Sequence, residues 1–329
     1  MSVQTMRALQ VDTPNAALKH IELPLPNAGS GEVVVKIRAS GVNPLDIKIR
    51  AGSAAHAQHP FPAILGMDLA GEVHQVGEGV RNFSVGDRVW AMAGGVGGVQ
   101  GSMAEYASVD ARLLAKMPRN LSMRQAAAMP LVAITAWEGI VDIANVKAGD
   151  KVLVIGAAGG VGHMALQLAK ARGAETYGLD SADSAGYLRS IGATPINRET
   201  PVSHFAEQYT SGKGFDVVYD CVGSLDTAFQ AVRTFGTVTS SLGWGTHSLA
   251  PLSFRSARYA GVFTLRPLLT GQGREAHGNI LSEVTKLVEA GKVSPRLDDH
   301  PFWLHDADTA HEWVRSGQAN GKVVITVSE

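Results

Sequence analysis

The stretch from Lys151 to Ala169, KVLVIGAAGGVGHMALQLA, constrains this chain more than any other. A run of apolar, β-favouring residues, Val152 to Ile155, enters a glycine turn, and apolar residues at helical spacing leave it. Strand, glycine turn and helix in that order form the unit with which a doubly wound parallel sheet grips a dinucleotide pyrophosphate. The turn has to be tight, the backbone has to reach phosphate oxygens, and the helix has to pack closely on its strand. Gly159, Gly160 and Gly162 suit those needs because none carries a Cβ. Free amides and the helix dipole then supply a positive field. Ala157 stands where the first glycine of the common G-x-G-x-x-G pattern falls, so context has to carry the reading. It does: Ala174 to Leu179 reads as a second strand ending at Asp180, 21 positions after Gly159. That is close to the spacing at which a carboxylate meets ribose hydroxyls.

A chain of 329 residues suits two domains, and 45% apolar against 18% charged residues is enough to bury two cores. The formal net charge of -1, with no basic stripe, argues against nucleic acid as a partner. A single cysteine, Cys221, excludes a disulfide framework and any thiolate-rich metal site. Met1 to Leu18 is mixed in polarity, so neither a signal peptide nor a membrane span is expected, and a cytoplasmic location is.

The first 120 or so residues differ from the middle. Short β-rich segments, Glu32 to Arg38, Leu69 to Val76 and Asp87 to Ala91, alternate with glycine and proline turns and predict an all-β barrel or open barrel. Between Ser122 and Ile140 the apolar spacing turns helical. From Asp150, strands at Val152 to Ile155, Thr176 to Leu179, Asp216 to Tyr219 and Thr237 to Leu242 alternate with helices that include ones starting at Gly162 and Ser184. This alternation is the signature of a parallel sheet. Asn279 to Ala290 and Ala307 to Arg315 read as helices, and Val323 to Val327 as a last strand.

Ordered along the chain stand SGVNPLDIKIRAG (Ser40 to Gly52), FPAILGMDLAGEV (Phe61 to Val73), VGDRV (Val85 to Val89) and MPLVAITAWEGI (Met129 to Ile140). GAAGGVG, DVVYDCVG (Asp216 to Gly223) and GKVVITV (Gly321 to Val327) complete the set. Through these segments the whole chain resembles the zinc-independent branch of the medium-chain dehydrogenase/reductases, the zeta-crystallin-like quinone oxidoreductase group. The resemblance implies an α/β fold: a Rossmann doubly wound sheet over residues 126–266 and a GroES-like, mostly-β barrel domain over 1–125, completed by 267–329. It also implies an active site in a cleft and a homodimer formed through the Rossmann sheet edge.

The zinc-dependent branch holds its catalytic metal with a cysteine, a His-Glu pair and a further cysteine or carboxylate. Those positions here are Asn43, Met67-Asp68 and Leu131, which do not supply the three ligands such a zinc needs. Ala91 to Glu105 carries no cysteine for a structural zinc either. His56 and His59, and His305 and His311, read as surface histidines, so no metal is expected.

Without a Lewis acid an alcohol hydroxyl is hard to activate, whereas hydride addition to a quinone or activated enone needs only positioned rings and donors to one oxygen. By resemblance, Asn43 either donates its amide to the substrate oxygen or fixes its own loop. Lys48 stands where many relatives carry a tyrosine, and either stabilises an enolate or faces solvent. Asp46 reads as an orienting carboxylate or an acid, and Thr135 as a hydroxyl near the nicotinamide. Gly156, Ala158, Gly159, Gly160, Val161, Gly162, Asp180, Val222, Gly223 and Phe263 form the expected cofactor-binding set. Cys221 reads as a small buried residue, and His163 as packing against the sheet or touching a phosphate. Trp244, His247, Tyr259 and Phe263 are candidates to line a substrate pocket.

Relatives that use NADPH often carry a lysine where this chain has Ser184, and a small residue where it has Asp180. A carboxylate beside a 2′-phosphate costs about 4 kcal/mol at 4 Å and an effective dielectric near 20. NAD(H) is therefore expected over NADP(H), unless Asp180 turns away and Arg189 or Arg198 covers the phosphate. Two other functions stay open: an alcohol dehydrogenase, and a non-catalytic NAD(P)H-binding protein.

Overall fold

The computed structural model describes residues 4 to 328. One unit runs up to Leu131 and takes in Leu265–Ala290 and the chain from Pro295 onward; the other is Val132–Thr264 with Gly291–Ser294.

In the first unit the ten-residue strand Glu32–Gly41 organises the rest. Its Val33, Val34, Val35 and Ile37 are all fully buried, so both of its faces lie against protein, unlike a one-sided surface strand. It pairs antiparallel with Asp68–Val76 along most of its length. Tyr106–Asp110 covers its first half and Val324–Thr326 its last three residues. Arg88–Met92 and Ala115–Lys116 extend the sheet on one side and Phe302–Trp303 on the other, giving seven strands. Thr5–Gln10 and Lys19–Pro24 form a separate hairpin. The sheet of this unit is thus assembled from both ends of the chain.

Helix Ala307–Arg315 packs against helix Pro44–Arg50 in this unit. The expectation that His311 is a surface histidine is corrected here: it lies on the packed face and is 3% exposed. Neither ring nitrogen has a hydrogen-bond partner. Burial, with the Arg50 guanidinium nearby, holds its pKa down at about 4, from an ordinary 6.5. The unfolded chain therefore binds a proton between those values that the folded protein refuses, and this group's contribution to stability is lost as pH falls from about 6.5 to 4. His311→Leu should remove that loss. Relative to the parent, the variant should gain about 2 kcal/mol in urea unfolding between pH 7 and pH 5. An unchanged difference across that range would refute the assignment.

In the second unit six strands run parallel in the spatial order Thr194–Asn197, Glu175–Asp180, Lys151–Ile155, Phe215–Asp220, Val232–Ser240, Arg258–Gly261. Counted within the unit this is 3-2-1-4-5-6, the doubly wound order of a Rossmann sheet. Its core gathers Leu153, Tyr177, Phe205, Phe215, Val218 and Phe229. Aromatic rings in it meet edge to face, with Tyr177 and Phe215 5.2 Å apart.

Several expected boundaries moved: the helix expected from Asn279 begins at Arg274, and the strand expected over Thr237 to Leu242 is Val232–Ser240. The helix at the glycine turn begins at Gly160 rather than Gly162, because the backbone turns from extended to helical directly after Gly159. The helical pattern over Ser122 to Ile140 splits into Met123–Ala127, Pro130–Trp137 and a wider π-turn, Glu138–Ile143. Pro130 lacks the N–H that would continue the first piece. At the π-turn, Gly139 lies over the Tyr219 ring, where a Cβ would come within 2.7 Å of Cζ. The Tyr219 hydroxyl donates to the Thr135 carbonyl at 2.8 Å, tying the preceding helix Pro130–Trp137 to the sheet.

Candidate functional site

Lys151–Ile155 and Phe215–Asp220 are neighbours in the sheet, yet the chain leaves them in opposite directions, and ligands of doubly wound sheets bind at this switch point. The glycine turn sits there. Gly156 has φ +75°, and a Cβ on it would come within 2.3 Å of Val222 Cγ1; a Cβ on Gly162 would come within 2.2 Å of the Gly156 carbonyl oxygen. Gly159, at the head of the twelve-residue helix Gly160–Ala171, supplies no side-chain cap. The first-turn amides of Gly160, Val161 and Gly162 thus meet no capping side chain, the condition under which a helix start accepts an anion.

Asp180 ends its strand beside this turn. Its Oδ2 accepts the Ala158 N–H at 2.8 Å and its Oδ1 the Ser181 N–H at 2.7 Å. The carboxylate is therefore held at the turn and does not swing away. Arg198 pairs with Glu199 at 3.5 Å, while its own amide donates to the Asp180 carbonyl at 2.8 Å. His163 is buried, its Nδ1 3.1 Å from the Gly159 carbonyl, which is the packing alternative.

A second carboxylate went unnoticed in the sequence. Asp220, fully buried at the end of the neighbouring strand, accepts the Val222 N–H at 3.2 Å, the Ser224 N–H at 2.9 Å and the Ser240 hydroxyl at 2.8 Å. It shapes the turn that carries Val222 (54% exposed) and Gly223 (φ +82°). Its position at a strand end before Cys-Val-Gly was the available signal. Cys221 is half-buried rather than buried, and desolvation followed by the charges of Asp220 and Asp180 pushes its thiol pKa up, so it is no poised nucleophile.

Of the candidate pocket residues, His247 and Tyr259 both stack edge-on against Phe229, at 6.4 Å and 5.7 Å. The His247 ring bonds Asp226 at 3.1 Å and the Trp244 carbonyl at 3.3 Å. Trp244 and Phe263 are exposed. Thr135 is buried in the same unit.

In the first unit, Asn43 and Asp46 lie where the Pro44–Arg50 helix begins and both are buried. The Asn43 N–H donates to Asp46 Oδ2 at 2.8 Å. The Asn43 side chain is committed at both ends: Nδ2 donates to Asp68 Oδ2 at 3.0 Å, and Oδ1 accepts from Lys322 Nζ. Lys322 also donates to the Val42 carbonyl at 2.9 Å, and Asp68 Oδ1 accepts the Leu131 N–H at 2.8 Å. An amide so engaged holds its loop, one of the two roles open to Asn43 from the sequence. Asp46 is fully buried as well. Desolvation raises the Asp46 carboxyl to about 7 and Asp68 to about 6, opposed by Asn43 and by the Lys322 charge. Lys48, on the same helix, is exposed. Sequence reasoning missed Lys322, whose partners lie hundreds of positions away.

Residues 29–119 match the family model described as alcohol dehydrogenase GroES-like domain, and residues 191–325 the one described as zinc-binding dehydrogenase. A 2-methylene-furan-3-one reductase of Solanum lycopersicum is 33% identical over 81% of this chain; the match spans 64% of that protein, under two thirds of its length. A chloroplast envelope quinone oxidoreductase homolog of Arabidopsis thaliana is 32% identical, over 80% of each chain. Among solved structures, an alcohol dehydrogenase superfamily protein from Novosphingobium aromaticivorans superposes with a TM-score of 0.97 at 50% identity, covering 98% of this chain and all of that one. The residues here do not fit the zinc of the second family description. By the resemblance, Asn43, Met67 and Leu131 stand where three zinc ligands would be, and the Lys322 ammonium lies against the Asn43 and Val42 oxygens. Among the described residues no group of three or more His, Cys, Asp or Glu side chains is placed to hold a metal ion, and no helix is long and apolar enough to cross a membrane.

Proposed function

The chain belongs to the medium-chain dehydrogenase/reductase family, in its zinc-independent quinone oxidoreductase group, and from this premise we propose that it reduces a quinone or activated enone with a nicotinamide dinucleotide. The observation that carries the reading is the glycine turn whose helix start has no side-chain cap, set at the switch point of a doubly wound sheet. When bound there, the cofactor would supply hydride to an electron-poor carbon. Gly156, Ala158, Gly159, Gly160, Val161 and Gly162 would hold its pyrophosphate, and Asp180 its adenosine ribose. Val222, Gly223, Phe263 and Thr135 would border the nicotinamide. The anchored Asp180 carboxylate supports NADH over NADPH, because its charge stays where a 2′-phosphate would come.

Asn43 and Asp46 act as positioning residues in this reading, and exposed Lys48 remains the cation available to an enolate oxygen. A single well-aimed donor of that kind contributes on the order of 3 kcal/mol. We place a second copy of the chain at the sheet edge formed by Arg258–Gly261, by family likeness. Neither nucleic acid nor a membrane is a proposed partner, and the cytoplasm is the proposed location.

The test is oxidation of NADH and NADPH, side by side, by chelator-treated protein with a panel of quinones, enones and aldehydes. Turnover of quinone or enone, faster with NADH, is the expected result. Tight nicotinamide binding without turnover of any acceptor would overturn the reductase reading in favour of a binding protein.

A further inference from the structure

Lys322 reaches the interior along a backbone with little choice of path. Gly321 before it has φ +133°, and a Cβ there would lie 2.8 Å from the Leu297 carbonyl carbon. The Lys322 N–H donates to the Arg296 carbonyl at 2.8 Å and its own carbonyl accepts the Asp298 N–H at 2.9 Å. One residue on, the Val323 carbonyl accepts the Val42 N–H at 2.9 Å. With its backbone pinned on both sides and only 7% of its surface exposed, the side chain ends among oxygens. These are the Val42 carbonyl and Asn43 Oδ1, and the charges of Asp68 and Asp46 also act on the ammonium. A buried ammonium is expensive unless fixed oxygens and counter-charges replace its water. Here they do, and without it two fully buried carboxylates would share one region with no cation.

We propose that the Lys322 ammonium is the resident cation of this oxygen-lined pocket, a built-in counter-charge for the buried Asp46 and Asp68. By clamping Val42 and Asn43 it fixes the start of the Pro44–Arg50 helix, and with it the placement of Lys48. It is a positioning residue. Its effect on turnover rests on the reductase reading; its occupancy of a cation pocket does not.

Chemical rescue of the full chain tests this. Lys322→Ala should melt several degrees below the parent, bind NADH with unchanged affinity, and lose roughly tenfold to a hundredfold in kcat with little change in KM for NADH. Methylammonium or ethylammonium at tens of millimolar should saturably restore the melting temperature and most of kcat, while sodium and bulky tetramethylammonium should not. Lys322→Arg should retain more activity than Lys322→Met, and this pair decides the matter if the alanine variant does not fold. Wild-type melting and kcat in Lys322→Met, or amine additions that restore nothing in a folded alanine variant, would overturn the proposal. Rescue of melting in a protein whose parent reduces no acceptor would leave the cation pocket standing and sink the reductase reading alone.

Discussion

Gly162→Val is expected to weaken nicotinamide binding at least a hundredfold, about 3 kcal/mol or more. A Cβ at this position would sit 2.2 Å from the Gly156 carbonyl oxygen and 2.8 Å from the Ala157 α-carbon. Both are backbone atoms of the same turn, so no side-chain rotation relieves the overlap. The helix must lift from its strand, and the first-turn amides move with it. Gly159→Ala separates this internal clash from a ligand effect. Its Cβ would meet nothing closer than the Gly156 oxygen at 3.3 Å, a contact relieved by a shift of a few tenths of an ångström. Gly159→Ala should therefore fold with near-parental stability and still lose affinity, since the methyl group intrudes where a phosphate would approach. Fluorescence titration with NADH, alongside urea unfolding, distinguishes the two. Unchanged affinity in both variants would remove the pyrophosphate from this turn.

Asp180→Ser is expected to shift the ratio of kcat/KM for NADPH over NADH upward by about a hundredfold. One charge pair at 4 Å is worth about 4 kcal/mol at an effective dielectric near 20, and partial solvation reduces that to the smaller factor. Two effects contribute: the repulsion toward a 2′-phosphate disappears, and NADH loses hydrogen bonds to its ribose hydroxyls worth about 1.5 to 3 kcal/mol each. Asp180→Asn removes the charge and keeps an amide oxygen for the Ala158 N–H that the carboxylate accepts at 2.8 Å, while giving up the Ser181 N–H contact. The asparagine variant should move the ratio in the same direction by roughly tenfold. A ratio unmoved by either substitution would mean that Asp180 serves only the turn.

The glycine turn was legible because it is local: strand, turn, helix and the acidic strand end fall within thirty residues, each with its own pattern. The parallel order of the second sheet followed from the alternation of strands and helices. What the sequence hid was nonlocal. Asn43 is by residue type both a donor and an acceptor, and its use depends on Asp68, 25 positions away, and Lys322, 279 positions away. No periodicity links those segments, so a list of polar residues could not name the amide's partners within the fold. His311 was misplaced for the same reason, since the helix that buries it is set by a distant stretch of chain. Asp220 was visible as a residue, but the three groups that it gathers come together only through the strand order.

The pairing of Val324–Thr326 with Glu32–Gly41 also sets a timetable for synthesis. Translation adds roughly 5 to 20 residues per second, so on the order of 15 to 55 seconds separate the emergence of Asn43 from that of Lys322. Throughout that interval the Ala39 to Gly41 edge has no strand beside it, and Asp46 and Asp68 have no ammonium with which to be buried. The Rossmann unit has by then emerged with all six of its strands. A nascent chain thus carries one sheet ready to close and one held open by a missing edge. The emergence of Val324–Thr326 decides when Glu32–Gly41 can complete its sheet.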